Sequence, residues 1–310
     1  MTDASSRQPA LHRISTYLHK RPRLRLLLLL ALPVVWLVGV YGGSLVSLLL
    51  QSFFRLNPFS GVLERVISLD TWRTLFTAAN NAVIMRTVGM ATAVTVASVI
   101  LAFPLAYYMA RYAGPRVKAI LVLAVLVPLW SSYLVRVYSW KLILAADGII
   151  NWFVERLGLE GALQALLGAP VIGGPSLSIS LFGQFLVFVY IWLPYMILPI
   201  HASLERVPRS LLEASADLGA RPAFTFRKVT WPMAIPGVAA GSIFTFSLTL
   251  GDYIIPTIIG DSSPFIGLAI YSYQGVAGNL PLAAAFSFIP IAVMAVYLTV
   301  VRRFGAFEAL

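Results

Sequence analysis

Apolar residues run in long blocks along this chain instead of alternating with polar ones. Six blocks, Leu26–Leu50, Ala82–Ala110, Val117–Tyr138, Leu177–Ala202, Met233–Ile255 and Leu282–Val301, reach the roughly 20 residues that about 30 Å of hydrocarbon requires. Such runs are too long for single barrel strands of about ten residues. The pattern therefore predicts an all-α polytopic membrane protein with six transmembrane helices.

Between the fourth and fifth blocks the pattern breaks. Ser210–Pro232, SLLEASADLGARPAFTFRKVTWP, reads as helix, hinge, helix. Ser210 and Glu213 have the spacing of a capping box, in which serine oxygen and glutamate carboxylate satisfy amides at the helix start. Pro208 fits a break just upstream. Leu211, Leu212, Ala214, Ser215 and Leu218 form the body of a short helix that Gly219 can end in a left-handed conformation. Pro222 suits the first turn of a second helix, whose Phe224, Phe226 and Val229 give it an apolar face. A helix this short is marginal in water, so docking must supply much of its order.

Two further segments lie between blocks. Gln51–Asn81 carries Arg55, Glu64, Arg65, Asp70, Trp72 and Arg73, a mixture suited to a short helix at a headgroup boundary. In Ser139–Ser176, residues Ile149, Ile150, Phe153, Val154 and Leu157 recur at helical spacing, and Gly173, Gly174 and Pro175 mark a turn.

Composition strengthens the membrane reading. The 310 residues are 59% hydrophobic and 11% charged, against about 25% charged in soluble domains, and surface-to-volume scaling forbids hiding that much apolar area at this size. Charge then sets the orientation. The stretch before Leu26, Arg111–Lys118, Ser203–Pro232 and the stretch after Val301 together hold 16 of the 23 Lys and Arg and 5 of the 12 acidic residues. The whole net charge of +11 falls on one side, as the positive-inside bias requires. The expected division is a cytoplasmic basic tail (1–25), a six-helix domain (26–303) containing a cytoplasmic loop (203–232), and a cytoplasmic tail (304–310). Lys20, Arg21, Arg23 and Arg25 precede a run too long for a signal-peptide core, which reads as a retained first helix.

Several chemistries are excluded. The basic residues form no aromatic-interleaved stripe for nucleic acid. There is no cysteine, hence no disulfide or thiolate ligand. No Gly-rich phosphate loop ends in Lys and Ser or Thr, and His12, His19 and His201 lack the spacing of a metalloprotease. The chain reads as neither an enzyme nor a metal or cofactor binder.

The positions Glu213, Ala214, Ser215, Asp217, Gly219, Ala220, Phe226, Val229 and Pro232 closely resemble the EAA motif of permease subunits in binding-protein-dependent ABC importers. Ser215 stands for the usual second alanine and Trp231 for a frequent leucine. The resemblance implies a coupling helix docked on a cytoplasmic ATPase, with Ser210, Glu213, Ala214, Ser215, Asp217, Gly219 and Ala220 at or near that contact. It also extends over roughly Leu26–Arg303: VPLWSSYLVRVYSWKLILAADGIIN (127–151) and GDYIIPTIIG (251–260) resemble the spermidine/putrescine permease subgroup. That subgroup also serves other small amines, opine-like compounds and some organic acids. The implied partners are a second permease subunit in a heterodimer, two ATPase subunits that use ATP and Mg, an extracytoplasmic solute-binding protein and the lipid of a bacterial inner membrane. An autonomous carrier or channel is the competing class; it would not need the Ser210–Pro232 platform.

A path for a di- or polycation benefits from a carboxylate in low dielectric, and Asp252 is the candidate. Tyr253, Tyr133, Tyr138, Trp140 and Trp192 offer faces for cation-π contact, although such residues also anchor helices at interfaces. Asp147 and Glu155 suit an external mouth or a binding-protein contact. Arg136 and Lys141 flank the same mouth. They either pair with Asp147 or Asp252 or attract an anionic solute, so two readings of Asp252 stand, solute contact and structural ion pair. Pro104, Pro128, Pro194, Pro199 and Pro290 can kink spans, and Gly237 with Gly241 offers close packing, either within the chain or against a second subunit.

Overall fold

The computed structural model describes residues 22–57, 60–261 and 263–303; the expected tails at 1–21 and 304–310, with His12 and His19, lie outside them. The first helix begins earlier than Leu26. It comprises α1 (Pro22–Val35), a π-helical turn (Trp36–Gly42) and α2 (Gly43–Ser52). Pro33 lies within α1; its ring and missing amide disturb the helical ladder just before the widened turn. Along the stretch Leu29–Ser52 the apolar side chains of the spanning window are not buried by the rest of the chain.

The segment that follows holds a two-stranded hairpin as well as the expected short helix. β1 (Arg55–Leu56) pairs antiparallel with β2 (Leu63–Glu64), placing Arg55 opposite Glu64 and Leu56 opposite Leu63. Arg55 meets Glu64 at 2.7 Å, and Asn57 Nδ2 donates to Glu64 Oε1 at 2.7 Å. The hydrogen bond from Arg55 and the one from Asn57 hold the Glu64 carboxyl below the ordinary carboxylate range. The short helix is α3 (Asp70–Leu75).

Three helices build the main core. α4 (Ala78–Arg111), at 1.5 Å per residue, is about 50 Å long. α9 (Leu181–Glu205) packs against it and against α12 (Trp231–Gly251). Val187, Phe188, Ile191, Met196, Ile200 and Leu204 of α9 are buried. Gly237 and Gly241 of α12 make the approach possible: a Cβ at Gly237 would come within 2.4 Å of Pro199 O, and one at Gly241 within 2.7 Å of Met196 Sδ. The small surface is thus used within the chain. Thr87 and Thr95 of α4 are buried but donate to the carbonyls of Val83 and Ala91 at 2.8 and 2.7 Å, which satisfies hydroxyls that lipid could not.

The remaining elements are α5 (Pro115–Trp130), α6 (Tyr133–Ile143), α7 (Ile149–Arg156), α8 (Glu160–Leu167), α10 (Arg209–Asp217), α11 (Pro222–Thr225), α13 (Ile254–Ile258), α14 (Ile266–Gln274) and α15 (Leu280–Arg302). A second core gathers Leu75, Val83, Ile266, Leu282 and Phe286 from α3, α4, α14 and α15, with α2 lying against α15.

The expected third span, Val117–Tyr138, is broken. α5 and α6 meet at 97°. Pro128 withdraws one amide near the end of α5, and Ser131 then donates both its amide and its hydroxyl to Pro128 O, at 3.3 and 2.8 Å. That local bonding ends the helix. Among the described residues, five helices are long and apolar enough to cross a membrane, or six if the bent pair counts as one span. The expected fourth helix likewise starts later, at Leu181, where Ser180 Oγ accepts from Gly183 N at 3.0 Å. The fifth stops at Gly251 instead of Ile255.

Candidate functional site

Two interruptions of the helical pattern carry the polar chemistry. The first is the loop after α9. Pro208 precedes α10 as its N-cap, without a side-chain cap, so Ser210 sits inside the first turn and the expected capping box with Glu213 does not form. The hinge is as expected. Gly219 adopts φ +74° with open space around it, and Pro222 occupies the first turn of α11.

What ties the two short helices together is a hydrogen bond between Ser215 Oγ and Thr225 Oγ1 at 2.8 Å. Beyond α11 a π-helical turn (Phe226–Thr230) leads into α12, and Phe226 packs edge-on against Phe103 and Tyr107 of α4 at 5.8 and 5.9 Å. By contrast α10 buries none of its residues. Glu213, Ala214 and Asp217 are exposed, Ala220 is half-buried, and Leu218 is 87% exposed. Glu213 and Asp217 make no ion pair among the described residues; Glu205 instead pairs with Lys118 across the helix ends.

The second interruption lies at the other end of α12. Asp252 follows the helix in extended backbone, and its Oδ1 accepts from the amides of Ile254 and Ile255 at 2.7 and 3.0 Å, at the start of α13. Its Oδ2 accepts from the Tyr133 hydroxyl, which the break after α5 delivers on the first turn of α6. Tyr133 stacks on Trp192 of α9, centroids 5.8 Å apart, and Arg136 lies over the Tyr133 ring at 6.0 Å. Three elements separated in sequence thus place an acid, a phenol, an indole and a guanidinium together.

Of the two readings left open for Arg136 and Lys141, pairing with Asp147 or Asp252 does not occur among the described residues. Asp252 has no basic partner among the described residues, and neither Lys141 nor Asp147 makes an ion pair there. The Asp252 carboxylate is already bound by one hydroxyl and two amides, so pairing with Arg136 is not needed to hold it. Arg136 Nε and Trp192 Nε1 are buried without hydrogen-bond partners among the described residues.

Other expected residues fall away from this cluster. Tyr253 is exposed and stacks on Tyr271 at 5.1 Å. Trp140 packs on Tyr190 at 4.9 Å. Tyr138 is exposed. Lys141, Asp147 and Glu155 are exposed, with Glu155 accepting from Asn151 at 2.9 Å.

Sequence reasoning missed Tyr195, edge-on to Trp192 at 5.9 Å, and Gln184. Gln184 Nε2 donates to Ile259 O at 3.1 Å while its Oε1 is buried and unpartnered. Its position as the only amide in the apolar run LFGQFLVFV was the available signal, since a polar group inside a span is costly without a role.

Residues 102–307 match the family described as binding-protein-dependent transport system inner membrane component. The inner membrane ABC transporter permease protein YdcU of Escherichia coli strain K12 is 53% identical over 306 residues, covering 99% of this chain and 98% of that protein. The spermidine/putrescine transport system permease protein PotB of the same strain is 27% identical over 257 residues, covering 83% and 89%. Among solved structures, a bacterial ABC transporter involved in import of the acidic polysaccharide alginate superposes with TM-score 0.64 at 17% identity, over 94% of this chain and 99% of that one; this likeness concerns the fold. The family match covers about two thirds of the chain, and the relative YdcU nearly all of it. This multi-pass inner membrane protein belongs to the family of binding-protein-dependent transport system inner membrane components and is a permease subunit of an ABC importer.

Proposed function

We propose that the chain forms half of a translocation pathway for small amines, of the spermidine or putrescine kind, delivered by an external binding protein. The observation that carries this reading is Asp252, a carboxylate held by Tyr133 and two amides with no basic partner among the described residues. Its charge stays available to an ammonium group, and the ring of Tyr133, backed by Trp192, offers a cation-π contact. The name of PotB supports the same solute class.

At the opposite end the loop from Ser210 to Pro232 serves as the coupling element. Glu213, Ala214, Asp217 and Leu218 of this loop are exposed, an unpartnered surface suited to a groove on a cytoplasmic ATPase subunit. With both chain ends and this loop in the cytoplasm, closure of ATP-bound partner subunits would move α10 and, through Phe226 against α4, switch the access of the pathway. The second permease subunit supplies the other half. Family membership displaces the autonomous carrier.

Arg136 favours a second reading. Its buried, unpartnered Nε suits an opine-like or organic-acid solute. Solute-dependent ATPase activity of the reconstituted importer separates the two. Titration with putrescine, spermidine and an anionic control should show selective stimulation by the amines, lost when this chain is omitted. Stimulation by the anion alone would overturn the amine reading and leave the importer intact.

A further inference from the structure

A cavity of about 660 Å³ opens at the loop end of the bundle, between the end of α4, the start of α5 and the first residue of α10. Arg111, Lys118 and Arg209 line its polar wall; Met109, Val122 and Leu123 line its apolar one. The cations come from the end of α4, the first turn of α5 and the first residue of α10.

Their pairing is incomplete. Lys118 pairs with Glu205, which His201 Nε2 approaches at 3.7 Å. Arg111 Nη2 donates to Val207 O at 3.1 Å, but its Nε is buried without a partner among the described residues. Arg209 makes no ion pair or side-chain hydrogen bond among the described residues. Of the three cations, Glu205 neutralises Lys118, and no acid among the described residues pairs with Arg111 or Arg209. The N-terminal end of the 16-residue α5, whose Pro115 also lines the cavity, adds positive potential.

An anion satisfies the buried guanidinium donor and relieves the repulsion between the arginines. The apolar wall narrows the choice of anion. Val122 and Leu123 lie one turn further along α5 than Lys118 and Ala119, on the way into the apolar span. A free inorganic anion gains nothing from such a wall; an acyl chain does. We propose that this pocket binds the phosphate headgroup of an anionic phospholipid, with the start of an acyl chain on Met109, Val122 and Leu123.

The test uses the assembled importer in neutral detergent, titrated with fluorescent phosphatidylglycerol, with phosphatidylcholine of the same chains, and with inorganic phosphate as competitor. Phosphatidylglycerol should bind in preference to phosphatidylcholine and weaken as salt rises. Arg209→Gln should lower its affinity about fivefold, the effect of one charge at a lipid surface. The charge-matched control Arg302→Gln should leave it unchanged, and Arg209→Lys should retain it. Leu123→Ser should weaken lipid binding. Equal binding of the two lipids, or no change in Arg209→Gln, would overturn the proposal. Displacement of phosphatidylglycerol by inorganic phosphate, with Leu123→Ser binding phosphate as well as the parent does, would assign the pocket to soluble phosphate instead. Should Arg209→Gln fail to assemble, salt-independent binding to the parent complex would still overturn it.

Discussion

The two interruptions of this bundle answer the same difficulty in opposite ways. Around Asp252 the freed amides of Ile254 and Ile255 find a carboxylate within the chain, and Tyr133 completes its bonding. At α10 the polar and apolar groups alike are left facing outward, Leu218 most of all. A break inside the membrane must satisfy its own polar groups, because lipid offers no substitute. A break outside can leave them to water or to another protein. The comparison separates a break whose polar groups are bonded within the chain from one whose groups stay exposed.

The largest expected effect comes from breaking the complete site. Asp252→Ala removes the acceptor for three donors; each orphaned donor costs about 1–3 kcal/mol, so thermal unfolding of the detergent-solubilised complex should fall markedly. Asp252→Asn keeps an acceptor oxygen for the amides and should restore most of that stability while still abolishing amine-stimulated ATPase activity. If Asn preserves the amine response, Asp252 is a structural cap and no more.

A middling effect belongs to the open site. Gly219→Val meets no neighbouring atom, yet a residue with a branched Cβ at φ +74° costs about 1–2 kcal/mol. Folding of the chain should survive, while ATPase subunits copurify roughly tenfold less well. Full coupling in this variant would remove Gly219 from the hinge role.

The smallest effect lies in the hairpin between Arg55 and Glu64 and gives a baseline. Glu64 titrates below its ordinary range in the fold, chiefly through the hydrogen bond from Arg55. Its contribution is therefore present above the ordinary carboxylate range and is lost as pH falls through the lowered value. Amide exchange of residues 55–64 should be indifferent to pH near neutrality, after correction for intrinsic rates, and should gain only a modest local opening below about pH 4. A pronounced loss of protection at pH 6 would contradict that pairing.

How much of this was legible follows from chain separation. The loop could be read closely because its determinants are local: Gly219 and Pro222 impose backbone geometry on their own neighbourhood. Even there the capping box failed, since Pro208 is the N-cap of a helix that begins at Arg209, which leaves Ser210 inside the first turn and not at the cap. The cluster at Asp252 was legible only as a set of candidates. Tyr133 and Asp252 are 119 residues apart, and their meeting depends on a bend produced by Pro128 and Ser131. A hydropathy block registers none of that, because Ser131 and Ser132 barely interrupt the apolar average. Trp140 and Tyr138 shared the right segment with Tyr133, but the helical repeat of α6 turned them elsewhere.

The unburied first helix has a consequence for how the protein is made. Its backbone bonds are closed within the segment and its apolar side chains ask nothing of later residues, apart from the rest of α2 on α15. It can therefore leave the translocation machinery and settle in the bilayer alone, before the remainder is synthesised, as the first step of a two-stage assembly. The helix against which α2 rests is the last of the described spans in chain order. The docking of α2 on α15 is therefore a late event in synthesis.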